Sequence, residues 1–189
     1  MNEKTMTKKE LLNNTNWDEY QMGTCLLFVN VLSKEVPFVF FQKHKPEPSI
    51  SDKMVESVND ILAINPVEIE TIKEVLYEEC LFAFQVADYG CEAQEGETHL
   101  EAHLREFEIF NKEDAYLKSE IQAVHINQEY DELNGTYSEI KINSASDNLI
   151  SVIVKNGKII DYGDDGVTLS VFDTDEQIAR KRRKEVLDS

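Results

Sequence analysis

The stretch NLISVIVKNGKIIDYGDDG, Asn148 to Gly166, decides how this chain folds. Two apolar runs, LISVIV and KIIDY, flank Asn156-Gly157, a pair that tolerates the positive φ of a two-residue hairpin turn. A turn there predicts Val154 opposite Ile159 and Ile153 opposite Ile160. Apolar side chains then fall on both faces, so the hairpin belongs in the covered middle of a sheet. Behind it, Asp161, Asp164 and Asp165 share a loop with Gly163 and Gly166. Calcium needs several oxygen ligands, but the spacing departs from D-x-[DN]-x-[DN]-G-x5-E. Turn chemistry accounts for the loop more simply: Asp-Gly eases the reversal into the next run.

Working outward, EIQAVHI and TYSEIKI before the hairpin and VTLSVF after it complete five short runs bounded by Gly, Asn or Asp. They read as strands of a meander, and Asn134-Gly135 supplies a second turn signal. Near the N-terminus, YQMGTCLLFVNVL and VPFVFF read as a strand pair with a turn at Ser33-Lys34-Glu35. Pro37 lacks a ladder donor, which places its strand at a sheet edge or starts the strand there. PEPS at 46–49 breaks the pattern, and Ser49 with Asp52 has the spacing of a helix cap. Met54, Val55, Val58, Ile61 and Leu62 then mark one helical face. Asn65 and Pro66 open a second helix, with Ile69, Ile72, Leu76, Cys80 and Ala83 along its apolar stripe to about Ala87. Residues 88–118, acidic and punctuated by Gly90 and Gly96, read as irregular. The expected architecture is α+β: a mostly antiparallel sheet, made of an N-terminal strand pair plus a C-terminal meander, covered by two helices. One domain spans 17–172, between a flexible tail at 1–16 and a basic C-terminal helix or tail at 173–189.

ISVIVKNGKIIDYGDDGV, preceded by a strand pair and two capped helices, resembles a group of uncharacterised small acidic bacterial proteins. These share that order of elements and a hairpin of the form NGK, two hydrophobic residues, two variable residues and Gly. Some are immunity-protein-like, guarding a bacterial cell against a partner toxin. The group often carries Glu-His-Gly before the first hairpin strand, where this chain has Ser146-Asp147-Asn148. The resemblance implies a fold, a bacterial cytoplasmic setting and no catalytic residues.

Charge narrows the partners. Against 19 Lys and Arg stand 37 Asp and Glu, a net charge of −18. Such a field repels phosphate backbones, so no nucleic acid is expected, and it steers basic proteins toward the surface. The longest apolar run, Cys25 to Leu32, is far short of the ~20 residues that span a bilayer, so no membrane is expected either. An odd set of three cysteines without CxxC fits a reducing compartment. MNEKTMTKKELLNN lacks the apolar run of a secretory leader, so a cytoplasmic location is expected. No nucleophile elbow, phosphate loop or dinucleotide motif occurs, and no cofactor is expected. Nothing fixes the oligomeric state.

The function expected from these features is non-catalytic binding, in an immunity-type role, of a basic protein through an acidic surface. Its contacts would come from Glu92, Glu95, Glu97, Glu101, Glu106 and Glu108, joined by Glu129, Asp131 and Glu132. The alternative is a metal-dependent hydrolase. His99 and His103 stand four apart, so a helix would place both imidazoles on one face, with Glu106 or Glu95 as third ligand. The segment is not H-E-x-x-H, since Glu101 would point away from such a metal. Cys91, beside Glu92 and Glu95, is poorly placed for thiolate chemistry. His125 belongs to an alternating strand, and VPFVFFQKHKP reads as a core strand leaving into a polar loop. The basic run Arg180 to Lys184 reads first as a complement to a helix dipole and second as a segment docking on an acidic surface.

Overall fold

The computed structural model describes residues 5–43 and 47–188. Residues 1–4 of the expected tail, the end of VPFVFFQKHKP at His44 and Lys45, Pro46 of the PEPS break, and Ser189 lie outside the described residues. Among the described residues seven strands form one sheet in chain order: β1 (Asn16–Trp17), β2 (Met22–Val29), β3 (Lys34–Phe41), β4 (Glu120–Asn127), β5 (Tyr137–Asn143), β6 (Leu149–Lys155) and β7 (Lys158–Asp164). Neighbours run antiparallel except β3 and β4. That parallel step needs a long crossover, and the chain supplies one with four helices.

The helices are α1 (Lys8–Asn14), then α2 (Asp52–Leu62), α3 (Ile69–Val86), α4 (His99–Glu106) and α5 (Lys112–Lys118) in the crossover, and α6 (Val171–Thr174) and α7 (Ile178–Leu187) at the end. Leu11, Met54, Val58, Ile61, Ile72, Leu76 and Phe84 pack on Val36, Phe38, Phe40, Val124, Ile126, Ile140, Val152 and Val154. Helices therefore cover one face of the sheet, and the fold is α+β and mostly antiparallel, as the patterning predicts. On the other face of β5 and β6 a smaller core forms from Tyr137, Ile153, Leu169 and Phe172.

The Asn156-Gly157 turn has φ of 49° and 72°, the double left-handed geometry of a type I′ hairpin. Val154 pairs with Ile159 as expected, but Ile153 pairs with Asp161 because Ile160 is an extra, bulged residue. The bulge puts Asp161 on the face of the smaller core and Tyr162 on the helical face.

Five expectations are corrected. Residues 8–14 are not a loose tail: Thr7 and Glu10 form a capping box on α1, Leu11 is fully buried, and Asn59 clamps the Met6 backbone from both sides at 2.8 and 3.0 Å. The cap of α2 is Ser51, whose Oγ accepts from Met54 N–H at 3.0 Å, rather than Ser49. VTLSVF is not a strand; after Gly166 it turns into α6 so that Leu169 and Phe172, three apart, close the smaller core. Residues 99–106 and 112–118 are helices, each opened by a side-chain cap from Thr98 or Asn111. Pro37 lies in an internal strand, tolerated because pairing with β4 begins one residue later at Phe38.

Candidate functional site

The nine acids marked by the sequence do not form one patch. Glu92, Glu95, Glu97, Glu101, Glu106 and Glu108 lie in and around α4, on the helical layer. Four of these six are engaged internally. Glu97 accepts from Arg105 at 2.9 and 3.2 Å, Glu101 caps Thr98, Glu106 pairs with Arg105 at 3.3 Å, and Glu108 pairs with Lys118 at 2.8 Å. Glu92 and Glu95 remain exposed. Glu129, Asp131 and Glu132 occupy a short 3-10 turn after β4, where Asp131 accepts from Ser51 Oγ at 3.0 Å and Glu132 pairs with Lys43.

His99 and His103 share a face of α4, their ring centroids 4.2 Å apart. The acid that joins them is Asp88, 3.6 Å from His99 Nε2 and 3.9 Å from His103 Nε2, and not Glu106. The Gly90 amide, with His99 behind it, holds Asp88 below the usual carboxylate range. His103 is fully buried, and both its ring nitrogens are committed. Nε2 accepts from Tyr89 N–H at 2.9 Å and Nδ1 donates to the His99 carbonyl at 2.7 Å, while the ring stacks on Phe84. A metal at Nε2 would strand the Tyr89 amide, so the geometry makes His103 a packed tie between α4 and the 88–90 loop.

Two further groupings were not legible as sites. Lys141, on the face of β5 that carries the smaller core, has only 6% of its side chain exposed, as has its partner Glu139. Its Nζ donates to Glu139 Oε2 at 2.7 Å, Ser151 Oγ at 2.6 Å and Asp165 Oδ1 at 2.8 Å, and Tyr130 Oη donates to the other oxygen of Glu139. Ser151 Oγ also donates to Glu139 at 2.7 Å. A Ser–Lys pair activates the hydroxyl only when the lysine nitrogen is free to take its proton. Here Nζ donates to two carboxylates and to Ser151 itself, so the network serves structure. The acidic loop is accounted for in the same way: Asp165 on Lys141, and Asp161 on Arg183 at 2.6 Å and Arg180 N–H at 3.1 Å. The basic run thus docks on the protein's own acids, with Arg180 and Arg183 each 3.3 Å from Glu78, making intramolecular docking its leading role.

The N-terminal half of the sheet differs. On the face away from the helices, Met22, Thr24, Leu26 and Phe28 of β2 stand opposite Phe41, Val39, Pro37 and Glu35 of β3. Leu26 and Phe28 are 57% and 56% exposed, and Tyr20 in the preceding turn is 82% exposed. His125 continues the face on β4, edge-on to Phe41 at 5.0 Å. Burial, then the charge of Lys141, lower its pKa against the pull of Glu139 and Asp165. Asp18, Glu19 and Glu35 border the strip. The acidic turn at 129–132 adjoins its end through Lys43, whose N–H donates to Gln128 at 2.9 Å. Burial alternates along β2, with Gly23, Cys25 and Val29 inward and Met22, Thr24, Leu26 and Phe28 outward, the pattern of a half-exposed strand.

The three cysteines are free; burial and then the Glu106 carboxylate push the Cys91 thiol up, against thiolate chemistry. Among the described residues no helix is long and apolar enough to cross a membrane. No protein-family model, no curated protein and no solved structure matches the chain.

Proposed function

We propose that this is a non-catalytic acidic binding protein that engages a basic protein partner on the open face of β2 and β3. The observation that carries this reading is the strip of Tyr20, Met22, Leu26 and Phe28, exposed and bordered by Asp18, Glu19 and Glu35. Protein interfaces join an aromatic and aliphatic centre to a polar rim, and an exposed contiguous apolar patch commonly marks one. The rim and the net charge of −18 select a cationic partner and speed its encounter. Glu129, Asp131 and Glu132 extend the acidic margin at the strip's end, while Glu92 and Glu95 add to the long-range field from the helical side. The groups a hydrolase would need are spent: His103 on Tyr89 and His99, Lys141 on two carboxylates. The immunity-type role implied by the hairpin's resemblance is the form of this function in which the partner is a toxin.

The test is capture from source-cell lysate on the immobilised protein, washed at low and then high salt. A basic protein retained at low salt and released at high salt, and weakened by Glu129→Gln with Glu132→Gln, supports the reading. Retention of no basic protein overturns it.

A further inference from the structure

Much of β2 has a free edge. β1 pairs with it only at Asn16–Thr24 and Trp17–Gly23, and the chain before Asn16 belongs to α1, whose Leu11 packs into the main core. Among the described residues no other strand lies on that side, so Cys25 to Val29 pair with β3 alone.

The pairing decides which backbone groups face this edge. Met22 C=O accepts from Asp18 N–H at 3.0 Å, so the main-chain groups of Met22 point toward β1. Alternation along an antiparallel strand sends those of Thr24, Leu26 and Phe28 the same way, and those of Cys25 and Leu27 toward β3. The register agrees: Leu26 stands opposite Pro37, which has no N–H to offer it. The N–H and C=O groups of Leu26 and Phe28 therefore point outward with no strand to pair them. The same two residues carry the exposed apolar side chains of the strip.

Sheet edges are ordinarily blunted by Pro, a charged side chain, a bulge or a covering element. Thr24 to Val29 reads TCLLFV, without Pro or charge, and its pairing with β3 runs unbroken from Met22 to Val29. Such an edge is a template for an added strand, and strand addition is a recurring mode of peptide recognition. Charge selects the occupant. A second copy of this chain would bring one net charge of −18 against another, whereas a cationic strand meets Asp18, Glu19 and Glu35 at the rim. We propose that an extended basic segment of the protein partner adds to the sheet along β2, bonding the backbone of Leu26 and Phe28 and laying alternate side chains over the strip. This rests on the reading that the open face receives a basic protein, and gives that contact its form.

Two peptides titrated into the full chain by protein-observed NMR test this: a capped peptide of about ten residues alternating Lys and Val, and the same peptide N-methylated at every Val. With Val over Leu26 and Phe28, the Val amides are the ones that face β2, so methylation removes those bonds and keeps the charge. Wild type should bind the first peptide, with hydrogen exchange slowed at Leu26 and Phe28 but not at Leu27. Methylation should weaken binding about tenfold, the size of one or two net hydrogen bonds. Leu26→Pro removes an outward N–H without touching the β3 ladder, and should bind more weakly than Leu26→Ala. Equal binding of the two peptides, with exchange at Leu26 and Phe28 unaltered, overturns strand addition while leaving a basic partner on the open face in place. Binding of neither peptide also overturns strand addition, and the lysate capture then judges the basic partner by itself. Slow exchange at Leu26 and Phe28 in a peptide-free dimer assigns the edge to a second copy and overturns the proposal. If circular dichroism shows Leu26→Pro unfolded, the comparison of the two peptides on wild type decides.

Discussion

Replacing Lys141 by Met should be among the most damaging single changes in this protein. The ammonium ties together Glu139, Ser151 and Asp165 at 2.6–2.8 Å, and neither Lys141 nor Glu139 has more than 6% of its side chain in water. Methionine fills nearly the same space, so the loss is electrostatic rather than a cavity. What remains is a buried carboxylate keeping only the hydroxyl donors of Tyr130 and Ser151. Removing one partner of a buried ion pair costs ~3–5 kcal/mol, because the survivor keeps its desolvation penalty without its attraction. The central sheet cannot move aside to admit water, so the full range should be felt. For a chain of this size that lowers Tm by about 6–20 °C. Lys141→Met with Glu139→Leu removes both charges and should be more stable than Lys141→Met alone, although Tyr130 then loses its acceptor at ~1–3 kcal/mol. Urea unfolding followed by fluorescence measures all three proteins. A loss below about 1 kcal/mol in Lys141→Met, or a double variant weaker than the single, would refute the reasoning.

Four further outcomes follow from the structure. The hydrogen bond from Lys141 holds Asp165 below the usual carboxylate range. A depressed folded pKa contributes stability above the unfolded value of about 3.9 and loses it as pH falls through the folded one. With the Asp165 side chain 54% exposed, screening limits this to under about 1 kcal/mol. Asp165→Asn should therefore trail wild type slightly at neutral pH and converge on it in acid, and a deficit persisting in acid contradicts the pairing. His103→Ala should cost ~2–4 kcal/mol by unpacking Phe84 and stranding the Tyr89 amide. Chelator should leave the wild-type Tm unchanged, whereas stoichiometric zinc that disappears in His99→Ala would restore the metal reading. Gly135 has φ of +96°, and a Cβ there would meet Asn156 Oδ1 at 2.5 Å. Gly135→Ala should cost ~1–3 kcal/mol in chemical unfolding, and a neutral result would deny that Asn156 is fixed there.

Features encoded locally were the ones the sequence disclosed. Asn156-Gly157 announces its hairpin because few other pairs accept two positive φ values, and Asn65-Pro66 announces a helix start through cap geometry. Val154 and Ile159 followed from the turn, but the bulge at Ile160 did not, since it answers to Asp161 meeting Arg183 far along the chain. VTLSVF misled because Val167, Leu169 and Val171 alternate like a strand, while burial of Leu169 with Phe172 selects a helical turn. The parallel β3–β4 pairing has no local signature. The same is true of the cluster of Tyr130, Glu139, Lys141 and Asp165, which meet only through tertiary packing. The acids were correctly seen as surface, but which ones were already matched to Arg105, Lys118 and Lys43 depended on the fold.

The most direct measurement of the central claim is capture of a basic partner by wild type and by Leu26→Ser with Phe28→Ser, compared at equal salt. Both side chains are exposed, so the double variant should fold like wild type, which circular dichroism checks. The account predicts that the folded double variant loses the partner that wild type retains. Equal retention by the two proteins would contradict it and move the contact surface elsewhere.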